Sequence, residues 1–176
     1  LILEVVPGGA ARHITVTRAN TVLEGVEVGD EITRQRVEIC RELIDDIARY
    51  DSLLKASKRR VAGGVAASGT SLVEIKGVGP ICAAIIIGYT GEVARFATKA
   101  HFAAYNATAP VDASSGPRPK HRLNQRGNRK LNHAIHIAAI SQLRFDTEGR
   151  AYYERKLAEG KSSKDAIRSL KRRISD

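Results

Sequence analysis

The stretch that most constrains this chain runs from Glu31 to Val61, about thirty residues without a glycine or proline, with apolar side chains at helical spacing. Val37, Cys40, Ile44, Ile47 and Leu54, with Leu43, Tyr50 and Leu53 beside them, form one stripe. Glu38, Arg41, Glu42, Asp45, Asp46, Arg49 and Asp51 cover the rest. The pattern predicts one amphipathic helix of roughly eight turns, about 45 Å long at 1.5 Å per residue. The stripe lies near a heptad, so two packings stay open from the residues alone. One is a coiled-coil contact with a second copy or a partner, and the other is a core helix packed within the chain.

Around that helix the punctuation predicts an all-α fold. Residues 1–6 read as a short strand or a helix tail, broken by Pro7-Gly8-Gly9. Thr17 offers an N-cap for a short helix ending at Gly25, and Gly63-Gly64 with Ser68-Gly69 read as a break after the long helix. This divides the chain into a linker and coiled-coil-like helix, 1–69, and a compact helical domain, 70–176. The latter opens with L-V-E-I-K-G-V-G-P-I-C-A-A-I-I-I-G, a helix-hairpin-helix pattern. Gly77 and Gly79 there let backbone N–H groups and a helix N-terminus approach a phosphate, and an ordinary αα-hairpin is the alternative. Further helices are expected from Thr98 or Lys99, after Gly127-Asn128-Arg129, and from Ser162 or Ser163. His133 and His136 lie three apart, but no third residue has metal-ligand spacing, so no metal site is expected.

Charge is segregated. Residues 111–176 hold 16 Lys and Arg against 7 Asp and Glu, while 1–110 hold 13 against 12. A basic C-terminal half points to a polyanion, and nucleic acid is the usual one. Cys40 and Cys82 both sit in apolar helical patterns and read as core residues. No signal peptide or long apolar run is present, which predicts a soluble cytoplasmic protein with no membrane partner. The chain lacks methionine and begins L-I-L-E, so it is expected to be a piece of a longer protein.

The basic character concentrates in Thr108–Arg129, T-A-P-V-D-A-S-S-G-P-R-P-K-H-R-L-N-Q-R-G-N-R. Prolines keep this segment from becoming helix. After Ser114 and Ser115 come Arg118, Lys120, His121, Arg122, Arg126, Asn128 and Arg129, with no acid among them. A hydroxyl nucleophile among guanidinium groups suits phosphodiester chemistry, in which cations stabilise charge building on the phosphoryl oxygens. The alternative is a basic loop that grips a nucleic-acid backbone, with Ser114 and Ser115 as turn residues.

Several strings together resemble a known family: G-V-G-P, R-F-A-T-K-A-H-F-A-A-Y-N-A-T-A-P, S-S-G, R-L-N-Q-R-G-N-R-K-L-N-H-A and G-R-A-Y-Y-E-R-K-L-A-E-G-K-S-S-K-D-A-I-R-S-L-K-R-R-I-S-D. They are similar to the C-terminal region of insertion-sequence transposases of the IS-one-ten type, the DEDD-type, bridge-RNA-guided recombinases. The likeness is dense over 70–176 and looser before it. It implies a serine that attacks a DNA strand to form a phosphoserine intermediate, falling here on Ser115. It also implies DNA and guide RNA as partners, homo-oligomers joined through the 31–61 helix, and a prokaryotic, nucleoid-associated setting. Divalent metal, expected to be Mg2+, would be held by four acidic residues of a RuvC-like domain. No such tetrad is found here, and Asp45, Asp46 and Asp51 read as solvated charge, so this piece alone is expected to be inactive.

Overall fold

The computed structural model describes residues 2–6, 13–112, 121–122, 124 and 126–176, of which Asp112, His121 and Arg122 by their backbone. The class is all-α. Among the described residues there are eight α-helices: α1 (Ile2–Val5), α2 (Val16–Glu24), α3 (Glu31–Ala67), α4 (Pro80–Thr90), α5 (Lys99–Tyr105), α6 (Arg129–Gln142), α7 (Glu148–Ala158) and α8 (Ser163–Ser175). One two-residue antiparallel ladder joins β1 (Val111–Asp112) to β2 (His121–Arg122). The chain forms two compact units, 1–59 and 60–176.

In the first unit, α1, α2 and the N-terminal part of α3 share an aliphatic core of Val5, Ala19, Leu23, Val37, Cys40 and Ile44. The cap of α2 is Thr15, whose Oγ1 accepts from the Arg18 amide at 3.3 Å, rather than the expected Thr17. Starting the helix at Val16 brings Ala19 and Leu23 into that core, with Val16 against its edge. Asp30 caps α3 by accepting from the Thr33 amide and hydroxyl at 2.8 and 2.7 Å, which holds its carboxyl below the usual carboxylate value. The predicted stripe divides: Val37, Cys40 and Ile44 are buried, while Leu43, Ile47, Tyr50, Leu53 and Leu54 are each more than half exposed.

Gly63-Gly64 does not end α3, which continues to Ala67. Each interior glycine costs about 1 kcal/mol relative to alanine, but Val61 and Val65 on these last turns pack against Val78, Ala83 and Ala138. That burial outweighs the glycines. The true stop is Gly69 at φ +65°, in the left-handed region that ends helices.

The second unit is built around α6, whose Leu131, Ala134, Ile135, Ala138 and Ala139 are all buried, and which packs against α4, α7 and α8. The first arm of the expected hairpin is only a 3-10 turn, Leu72–Glu74. Gly77 then turns at φ +89°, and a Cβ there would meet the Ala138 carbonyl oxygen at 2.6 Å. Only glycine lets the turn lie on α6. Gly79 is the N-cap of α4, with Pro80 at its first position. Among the described residues no helix is long and apolar enough to cross a membrane.

Candidate nucleic-acid interface

The end of α5 and the start of α6 interlock to build a platform. Asn106 caps α5 and is fully buried, and Ala107 after it adopts φ +61°, rare for a residue with a side chain. This turns the chain so that the Thr108 and Ala109 amides both donate back to the Ala103 carbonyl, at 2.9 and 3.0 Å. The turn is held from the α6 side as well. A Cβ on Gly127 would lie 2.5 Å from the Ala107 Cβ, and the Asn128 amide donates to the Tyr105 carbonyl at 2.7 Å.

Buried amides then tie this turn to α6 and α8. The Asn106 side chain donates to Ser175 Oγ at 2.6 Å and accepts from the Thr108 amide at 3.0 Å. Asn132 donates to the Asn106 carbonyl at 2.8 Å, and its Oδ1 accepts from Lys171 Nζ at 2.7 Å. On the other side, Asn124 donates to the Ala104 carbonyl at 3.0 Å while accepting from the Arg126 amide at 3.0 Å. Each buried polar group matched in this way costs little, and one deprived of its partner costs about 1–3 kcal/mol. The network therefore fixes the backbone path into Ala109-Pro110 and out of Asn124-Arg126.

From this platform the chain enters the ladder. Val111 pairs with Arg122 and Asp112 with His121, so the two ends of segment 113–120 are brought side by side. Ser114, Ser115, Arg118 and Lys120 lie outside the described residues. His121 and Arg122 form β2; Arg126 is exposed at the bend before Gly127; Arg129 is exposed at the first position of α6. Asn128, expected as a nucleic-acid ligand, spends its side chain on the fold: Oδ1 accepts from the Leu131 amide at 3.0 Å and Nδ2 reaches Tyr105 Oη at 3.3 Å. That contact, with Arg95 beside it, holds the Tyr105 phenol below its usual value.

The hairpin glycines stand apart from this group. Gly77 rests on Ala138 and Ser141, about 15 Å along α6 from Arg129 at 1.5 Å per residue. His133 is exposed and His136 half-buried, with the imidazole of His136 held below its usual value by burial and by Lys171 and His133 nearby. Among the described residues, no three His, Cys, Asp or Glu side chains gather as a metal site.

Residues 69–154 match a family model described as the transposase IS116/IS110/IS902 family. The match takes in just under half of the chain, and this stretch is similar to the transposase domain of that family. The chain is also similar to the insertion element IS110 43.6 kDa protein of Streptomyces coelicolor, at 35% identity over 102 residues, which is 57% of this chain and 25% of that protein. A second relative is the insertion element IS900 42 kDa protein of Mycobacterium paratuberculosis, at 26% identity over 161 residues, 88% of this chain and 38% of that protein. The chain thus spans well under half the length of the curated relatives it matches. The matched stretch takes in the whole interlocked platform from α5 to α6.

Sequence reasoning missed Asn106, Asn124, Asn132 and Lys171. The signal was available for Asn132: a polar residue between Leu131 and the buried alanines of α6 needs a partner. For Lys171, inside the run Lys171-Arg172-Arg173, composition carried no such mark.

Proposed function

We propose that this chain is the serine-bearing, nucleic-acid-binding part of an insertion-sequence transposase, with Ser115 as its nucleophile. The observation that carries this reading is the ladder. A segment holding two serines and two cations, pinned at both ends on a rigid buried-amide platform, is how a reactive side chain is presented to a strand. Ser115 Oγ attacks phosphorus, the bond from phosphorus to one strand oxygen breaks, and the hydroxyl proton passes to that departing oxygen. The resulting phosphoserine ester conserves the diester for rejoining. Arg118, Lys120, His121, Arg122, Arg126 and Arg129 are the cations proposed to stabilise the phosphoryl charge. Gly79, open at the start of α4, offers a second backbone contact to phosphate, with Gly77 holding its turn.

Guide RNA and DNA are the proposed partners, with target choice carried by base pairing. The Mg2+ that the resemblance implies is proposed for a RuvC-like domain and not for these residues, so no step here runs through a metal. The exposed part of the α3 stripe supports self-association through that helix. Changing Leu43, Ile47 and Leu54 to glutamate should lower the mass in solution to that of a monomer while leaving helicity unchanged. An unaltered mass would remove the helix from the assembly.

The deciding test is a covalent protein–DNA band in the full-length transposase. It should vanish in Ser115→Ala and persist in Ser114→Ala. A band that survives Ser115→Ala would leave the chain a non-catalytic module that binds nucleic acid and oligomerises.

A further inference from the structure

Beside the platform lies a cavity of about 490 Å³, lined by Thr108, Lys161, Arg168, Lys171 and Arg172 and, among the described residues, by a single carboxylate, Asp165. Two of the four cations have carboxylate partners: Arg168 meets Asp165 at 2.8 Å and Arg172 meets Asp176 at 2.6 Å. Lys171 differs. It is half-buried, and among the described residues its ammonium has no carboxylate partner and only one of its three donors is used, on Asn132 Oδ1 at 2.7 Å. Burial, with Arg129 and Arg168 nearby, holds its ammonium below the usual lysine value.

Thr108, also on the cavity wall, is more than nine-tenths buried, and among the described residues its Oγ1 has no hydrogen-bond partner. A half-buried ammonium without a counter-ion is unfavourable, a cost that an anionic ligand in the cavity would relieve. The cavity is wide enough for more than a bare ion. Thr108 also stands three residues before the ladder that opens the serine segment.

We infer that this cavity binds a backbone phosphate of a nucleic-acid strand, gripped by Lys171 and Arg168, with Thr108 on its wall. The inference rests on the reading of the chain as a nucleic-acid binder and adds where one strand is anchored. Its role is binding: the phosphate held here is a neighbour of the one that reacts.

The test measures binding of the full chain to short single-stranded DNA and RNA of one sequence across a salt series. The proteins are wild type, Lys171→Gln, Arg168→Gln and Thr108→Val, each checked by circular dichroism and melting. Lys171→Gln should lower affinity about five-fold near 0.1 M salt and flatten the slope of log K against log salt by about 0.7, the value of one single-strand phosphate contact. Thr108→Val, which changes no charge, should leave the slope unchanged. An effect on one strand type alone identifies that strand as the source. Should Lys171→Gln fail to fold, the exposed Arg168→Gln carries the same expectation. Wild-type affinity and slope in a folded Lys171→Gln or Arg168→Gln would overturn the cavity alone, whereas a wild-type chain that binds neither strand would overturn the nucleic-acid reading with it. Inorganic phosphate that raises the melting temperature through Lys171, with strand binding unaffected, would make this a small-anion site and likewise overturn the inference.

Discussion

The first unit packs Val5, Ala19, Leu23, Val37, Cys40 and Ile44 from three helices, whereas the second packs alanines and threads Asn106, Asn132 and Gln142 between them. Aliphatic contacts are non-directional and tolerate changes of shape. Amide contacts are directional, and every donor must find its acceptor. The second unit therefore fixes a particular backbone path where the first secures only burial. The segment proposed to carry the nucleophile emerges from the directional unit, where positional accuracy would serve chemistry.

Gly127→Val should break the comparison most severely, because the new side chain would drive into the Ala107 backbone, with its Cβ 2.7 Å from the Ala107 nitrogen. A loss of about 3 kcal/mol or more is expected, read by chemical denaturation. Asn132→Leu comes next. It strands the Lys171 ammonium and the Asn106 carbonyl, at about 2–4 kcal/mol, and hydrogen exchange should quicken in 60–176 with 1–59 unchanged. Ile44→Ala is its mirror, at about 2–3 kcal/mol, with exchange quickened in 1–59. Equal spreading of either effect through both units would erase the distinction between them.

Gly64→Ala should act the other way. Nothing lies within 4 Å of a Cβ there, so up to about 1 kcal/mol of helix stability should be gained, seen as a raised melting temperature. The smallest effect concerns pH. The Lys171 ammonium is held below its ordinary value of 10.5 by burial and by Arg129 and Arg168. Just below pH 10.5 the unfolded chain therefore binds more protons at this site than the folded one, and stability rises with pH. Lys171→Gln should remove that rise. Partial burial pushes the Cys82 thiol up, which has the opposite sign, but it is common to both proteins and cancels in their difference.

Much of the helical layout was legible in the sequence because periodicity and caps are local. Thr98, Gly91, Asn128, Ser162 and Gly160 all punctuate helices where their types predict. The extension of α3 through Gly63-Gly64 was not legible, since it depends on Val65 joining the core cluster of Ala138, over seventy residues away in the chain. The same holds for the site. Its basic residues and serines stand out in sequence, but the amides that set its backbone pair across long separations, Asn106 with Ser175 and Lys171 with Asn132. Asn128 illustrates the limit, since its neighbours suggest a ligand and its place before α6 makes it a cap.

The ladder between Val111–Asp112 and His121–Arg122 also marks a graft point. The pairs that close it lie outside 113–120, and doubling the length of an insert between such strands costs only about 0.6 kcal/mol of closure entropy. An engineer can therefore lengthen the insert there while the helices behind the ladder keep their pairing.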